Sequence, residues 1–355
     1  MPETAPGFIG LTHLYQKKIT EVDWAIIRDA VTQSTQAMAQ AADDLLSMLV
    51  TNVESPQARF YQPATGTMQP VDEFGRPKPA SNKFFYDVSF PMQMGSHAWG
   101  ASWVAREKMT VEDANDETLT ASRVDADWII RHALAALFYN NSWNFDDPEK
   151  GTLTVQSLAR GEAAVRYPIK DGSTVASHTH FFAQANAIDN SNNPFPTIKT
   201  QISHHPGQQG SVVVYCHNDQ RASIESLAAF REIKDVDLIP GTSSDRVDSG
   251  AVPDTLADEI FGKVNGVWVG EWGRIPSGYL LGHVPGVPVI GRRLDPEASL
   301  RGLITKEITG GVFPTFEFYR RAGFGILNRV AAVIYRIGNA SYAPPADYTT
   351  LPLPV

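Results

Sequence analysis

Apolar residues recur at three- and four-residue steps through two long stretches, and each stretch predicts an amphipathic helix. In the first, residues 22 to 51, Ile27, Val31, Met38, Ala42, Leu45 and Leu49 share a stripe, with Gln33, Gln36, Gln40 and Asp43 between them. It precedes everything that reads as a core. It is therefore either an arm lying on a neighbouring molecule or the first core helix, and periodicity alone does not choose. In the second, residues 116 to 139, Val124, Trp128, Leu134, Leu137 and Phe138 line one side. Asp113 and Asn115 offer caps there, and Asp116 and Glu117 suit the positive end of the helix dipole.

Between the helices the period drops to two. Phe84, Tyr86, Val88 and Phe90 alternate within residues 83 to 94, a strand signal. Residues 62 to 82 are rich in Pro, Gly and polar side chains, with Phe74-Gly-Arg-Pro-Lys-Pro as a turn. Residues 58 to 108 thus predict a long two-stranded excursion, reaching roughly 40 Å at about 3.3 Å per residue. An isolated ribbon is poorly stable and needs a surface to lie against. A second subunit is the natural candidate.

Further on, 152–155 and 163–167 read as strands, separated by loops such as 189–196. Residues 211–218 form a buried strand, with Asn218 capping a helix that carries Ile224, Leu227, Ala228 and Phe230. A shorter helix is expected over 254–261, strands over 267–270 and 278–283, a terminal strand over 325–338 and a Pro-rich tail over 344–355.

A chain of 355 residues exceeds what one small core needs and favours two lobes or long excursions. Hydrophobic residues at 43% and charged ones at 19% are ordinary for a globular protein. The net charge of −9 argues against a surface that grips nucleic acid by neutralising phosphates, and does not exclude a wall that encloses it without adhering. Cys216, the single cysteine, has no internal disulfide partner. The opening residues lack signal-peptide features, and no run approaches the roughly 18 apolar residues of a membrane helix. The expectation is a soluble protein, without membrane association, made in a reducing cytoplasm.

The strongest enzyme-like pattern is Gly172-Ser-Thr-Val-Ala-Ser-His178-Thr-His180-Phe-Phe-Ala-Gln184. Histidines two apart on a strand share a face and are able to share a metal. The spacing is similar to the first cupin motif, but Gln184 stands where that motif has a carboxylate. The second motif is absent, since His204 and His205 precede Pro206-Gly. The plainer reading is polar histidines on a half-exposed strand or loop. Phosphate-loop, zinc-protease and nucleophile-elbow patterns are absent. Cys216 and His217 are adjacent in a strand, face opposite ways, and make a poor nucleophile and base. Trp268, Trp272 and Tyr279 suit a ligand cleft, base stacking, an interface or simply a core. Arg292, Arg293, Arg301, Arg320 and Arg321 are candidates for pairing with carboxylates of another subunit. No residue is assigned a catalytic, cofactor-binding or metal-binding role, and the chain is expected not to be an enzyme.

The order of parts resembles the major capsid proteins of tailed bacteriophages. The likeness is carried by the excursion at 58–108, the helix at 116–139 and Val212-Val-Val-Tyr-Cys-His-Asn-Asp. It continues through Val267-Trp-Val-Gly-Glu-Trp-Gly-Arg, Pro288-Val-Ile-Gly-Arg-Arg-Leu-Asp and Phe313-Pro-Thr-Phe-Glu-Phe-Tyr-Arg-Arg-Ala-Gly-Phe-Gly. The resemblance implies an α+β, Hong Kong-97-type fold. Residues 1–54 would be an N-terminal arm, 55–110 the extended E-loop and 111–210 a P-domain whose spine helix is 116–139. Residues 211–322 would be the A-domain, 323–343 a strand returning to the P-domain and 344–355 a tail. It further implies hexamers and pentamers of an icosahedral virion shell, built in the bacterial host cytoplasm and enclosing double-stranded DNA without sequence-specific contacts. Portal, scaffolding and possibly decoration proteins would be partners, and no cofactor is implied. About 55 residues before the excursion are too few for the scaffolding segment some members carry, which implies a separate scaffold or a mature form. Residues 140 to 210 exceed the family's minimal core. Lys78 and Lys83 lie where some members form a lysine–asparagine crosslink. Two other classes stay open: an encapsulin-like nanocompartment shell and, more distantly, a cupin-like metalloenzyme.

Overall fold

The computed structural model describes residues 8–62, 71, 73–75, 84–100, 102–162, 179–205, 207–208, 210–233, 259–308 and 315–349. The expected strand at 163–167 and the tail beyond 349 lie outside them.

Two sheets share one long helix, α3 (Val111–Phe138), which follows the single-turn α2 (Trp103–Arg106). Its start is five residues earlier than the sequence reading. Thr110 is the cap: its hydroxyl accepts from Asp113 N at 3.1 Å, and Asp113 Oδ2 accepts from Thr110 N at 2.8 Å. This reciprocal capping box satisfies two otherwise orphaned donors and fixes the first turn. Asp113 is therefore the third helical residue rather than a cap, and Asn115 lies inside the helix, accepting from Phe8 N at 2.8 Å.

α1 (Trp24–Leu46) starts at Asp23, whose side chain accepts from Ala25 N. Ile27 and Val31 are wholly buried, in one cluster with Val111, Ala114, Phe316 and Phe318. Ile27 and Val31 of the periodic stripe thus seat on the protein's own body.

The first sheet runs β1 (Val50–Val53), β13 (Ile290–Arg293), β15 (Thr315–Ile326), β14 (Leu303–Ile308), with β4 (Gln93–Gly100) pairing along β15. The second runs β7 (Phe181–Gln184), β16 (Ala332–Ile337), β12 (Tyr279–His283), β8 (Val213–Cys216), β11 (Val267–Glu271), β10 (Glu259–Val264), β9 (Phe230–Glu232). β8 and β12 are buried at every position, the continuous apolar pattern of strands covered on both faces. One face carries Tyr215, Leu281 and Ile334 toward Leu134 and Phe138 of α3. The other packs Val214 and Leu280 against Ile198 and Ile202 of α4 (Phe195–Ser203).

Several boundaries differ from expectation. The terminal strand of 325–338 is the end of β15 plus β16, which enter different sheets. The division at residues 211 and 322 does not follow the sheets, because β7 joins the second sheet from before 211 and β13 to β15 leave it for the first. The helix at 218–230 is α5 (Asn218–Glu225), capped by His217 rather than Asn218. Phe230 already belongs to a strand. Residues 259–261, expected as a helix end, are the start of β10.

Candidate functional site

The predicted excursion is a ribbon of β2 (Gln57–Gln62) and β3 (Phe84–Ser89), paired antiparallel from Gln57↔Ser89 to Gln62↔Phe84. On its C-terminal side it ends earlier than expected. Beyond Phe90 and Pro91 the chain turns into β4, which pairs with β15 over eight residues and belongs to the body. Of the period-two face, Tyr86, Val88 and Phe90 are buried against Ala159 and Val330 of the same chain. The ribbon's root therefore has a home in its own subunit.

That root lies in a cradle without side chains. A β-carbon at Gly323 would come within 1.5 Å of Pro91 O, and one at Gly291 within 2.3 Å of the Phe90 ring. Gly291 pairs with Gly325 across β13 and β15, so glycines pave the crossing. Two arginines close over it. Arg329, 1% exposed, donates from its backbone N to the Tyr86 hydroxyl at 2.8 Å and from Nε to Ser157 O at 2.7 Å, and pairs with Glu162. Burial pushes the Glu162 carboxyl up, but Arg329 outweighs it and holds the group below its ordinary range. Arg293 donates to Asp147 Oδ2 at 2.6 Å, tying the hairpin of β5 (Trp143–Asp147) and β6 (Gly151–Val155) to the same place.

Eight large hydrophobic residues are exposed among those described: Ile26, Val71, Phe74, Phe85, Met94, Val104, Val124 and Ile308. Phe74, in the stretch between β2 and β3, is 75% exposed.

A cleft of about 520 Å³ lies between α3 and the β4–β15 strands. Val124, Trp128 and Phe318 give it an apolar wall, and Arg123, Arg131 and Arg274 stand at its rim. The helical stripe predicts Val124 on a buried side, yet it is 41% exposed, because here α3 borders the cleft instead of a sheet. Deeper in, Arg320 grips Asp125 through two hydrogen bonds of 2.9 and 2.7 Å. Arg274 pairs with Asp127. Arg123 and Arg131 have no ion-pair partner among the described residues.

The sequence-derived candidates separate. Arg292 pairs with Asp43, Arg293 with Asp147, Arg301 with Glu54, Arg320 with Asp43 and Asp125, and Arg321 with Asp295. All five arginines therefore meet carboxylates of their own subunit. Trp268, Trp272 and Tyr279 are core residues, 2–6% exposed. Cys216 is buried with its thiol pushed up to about 12 by burial, and its Sγ–H faces Gly270 O. His217 is occupied in capping α5.

The two-histidine motif also differs from its plainer reading. His178 lies outside the described residues, as do Lys78 and Lys83. His180 is wholly buried rather than half-exposed: Nδ1–H donates to Ala332 O at 2.8 Å, and Nε2 faces His205 Nε2 at 3.1 Å. The Gln184 amide donates to the carbonyls of Asn186 and Asn192 and serves a loop. Among the described residues, no group of three His, Cys, Asp or Glu is placed to hold a metal ion. None of their helices is long and apolar enough to cross a membrane.

No family model matches the sequence. No curated protein matches it either. In fold, the chain is similar to a chain from Mycobacterium phage Patience, with a TM-score of 0.67 and 18% identity over 95% of both chains. A looser likeness links it to the capsid of an empty GTA particle, with a TM-score of 0.48 and 14% identity over 84% of this chain and 90% of that one. Another links it to the holo-SrpI encapsulin complex from Synechococcus elongatus PCC 7942, with a TM-score of 0.44 and 9% identity over 83% and 86%. The first establishes a shared architecture along nearly the whole chain, and the fold is the α+β, Hong Kong-97 type that the sequence resemblance implies.

Proposed function

We propose that this protein is the major capsid protein of a tailed bacteriophage, a shell subunit that assembles into hexamers and pentamers around double-stranded DNA. The observation that carries the reading is the phage fold spanning 95% of the chain, and the exposure of Val71, Phe74 and Phe85, which lie on β3 or between β2 and β3, supports it. In this reading the ribbon of β2 and β3 is the E-loop and α3 is the spine helix. The first sheet with α1 belongs to the P-domain, and the second sheet is the A-domain. The work is mechanical. Many modest heterologous contacts, repeated around closed rings, sum to a wall that withstands internal pressure. A net charge of −9 keeps that wall from adhering to the genome. Portal, scaffolding and decoration proteins would complete the particle.

Electron microscopy and light scattering of the purified protein, with and without its scaffold, test the reading. Closed icosahedral particles are expected. A monodisperse monomer at high concentration under both conditions would refute it. Particles recovered from cells that hold an enzyme instead of DNA would turn the assignment to an encapsulin-like compartment.

A further inference from the structure

We infer that the cleft between α3 and the β4–β15 strands is a binding site for a small aromatic anion, a ring system carrying one carboxylate or sulfonate group. Its volume of about 520 Å³ falls inside the span of small-molecule sites, roughly 300–1,000 Å³. The charges choose the sign of the ligand. Four arginines line the cleft against two aspartates, in a chain whose net charge is −9. Arg320 engages Asp125 and Arg274 engages Asp127, whereas Arg123 and Arg131 have no carboxylate of their own among the described residues. A concave wall of low dielectric concentrates that local positive field. The apolar wall chooses the body. The Trp128 indole lies on the bare backbone of Gly95, where a β-carbon would come within 2.8 Å of its Nε1, and its ring centroid is 4.2 Å from that of His132. An indole fixed in this way is a preorganised surface for an apolar ring, with Val124 one helical turn away. His132 gives a second, independent pointer. It lines the same cleft and is 8% exposed; its Nδ1–H donates to Trp128 O at 2.7 Å, and its Nε2 has no partner among the described residues. The lining is therefore short of a donor, and an N–H on the ligand would supply it.

Anilinonaphthalene sulfonate is the probe, with fused rings, a bridging N–H and one sulfonate. Phenylnaphthylamine, the same body without the charge, is its control. Titration of the chain, followed by fluorescence and calorimetry, should show one site per chain, and bound probe should raise the unfolding midpoint. Arg123→Ala with Arg131→Ala should weaken the sulfonate about tenfold or more and leave the uncharged control within about twofold. Val124→Asp, which sets a carboxylate in the apolar wall, should weaken both compounds. Arg123, Val124 and Arg131 are exposed, and circular dichroism should show each variant folded as before.

Probe held at several sites, or with an affinity that neither variant moves, would overturn the inference, as would an absence of binding at millimolar probe. Equal weakening of the sulfonate and its uncharged control by the arginine changes would overturn the anionic class of the ligand. The inference stands apart from the shell reading, and none of these outcomes alters that reading.

Discussion

The carbonyl oxygen of Pro91 occupies the place where any side chain on residue 323 would have to begin, 1.5 Å from where a β-carbon on Gly323 would lie. The neighbour is backbone and cannot swing aside. Gly323→Ala must therefore displace the crossing from β3 to β4, and should cost about 3 kcal/mol or prevent folding. Gly10→Ala, whose added carbon meets nothing within 4 Å, should leave the unfolding midpoint unchanged. Thermal unfolding of both variants checks this, and an unaltered midpoint for Gly323→Ala would show that the crossing is looser than described.

Arg329 is the second fixture of the ribbon's root. Arg329→Ala removes one of the two arginines that pair with Glu162, leaving Arg160, and the donor to Ser157 O, and should destabilise by about 1–3 kcal/mol. Denaturant unfolding measures this directly. Proteolysis should also reach the β2–β3 ribbon earlier in the variant, because the root would no longer hold it.

Acid should weaken the second sheet. His283 is wholly buried beside the Tyr215 hydroxyl, and burial lowers its pKa from 6.5 to about 4. A depressed imidazole contributes its full stability above pH 6.5 and loses it as the pH falls toward 4, because the unfolded chain binds the proton first. At about 1.4 kcal/mol per pH unit this amounts to about 3 kcal/mol. His132 on α3, also lowered by burial, acts with the same sign. Urea unfolding between pH 7 and pH 4.5 should show the decline, and His283→Gln should flatten its slope.

The thiol of Cys216 supplies a probe of opening. Buried, and pushed up to about 12, it should ignore a thiol reagent at pH 8 and react fully in denaturant. Labelling faster than global unfolding would reveal a local opening of β8.

How much of this was legible depended on whether the deciding contact was local. The alternation of Tyr86, Val88 and Phe90 correctly predicted the strand β3, although the surface under it is the chain's own and not a second subunit's, and the apolar run at 213–216 correctly predicted a buried strand. Both signals are periodicities of the chain itself. Val124 shares its helical stripe with Leu134, yet one faces a cleft and the other a core, a difference set by what other elements bring near. His180 meets His205 only because α4 delivers the latter across the sheet. The cap at Thr110 was readable, since Thr-x-x-Asp stands in the sequence. Gly-x-Gly at 323–325 was the readable sign of the cradle, although what lies in it was not.

β16 enters the second sheet between β7 and β12, so a strand from late in the chain becomes an interior member of the layer. During synthesis on the ribosome, Phe181 waits without a strand neighbour, and Leu281 with Tyr215 alone, until Ile334 has emerged from the exit tunnel. A truncated or still-growing polypeptide is thereby barred from completing the second sheet, whose closure waits for the last part of the chain.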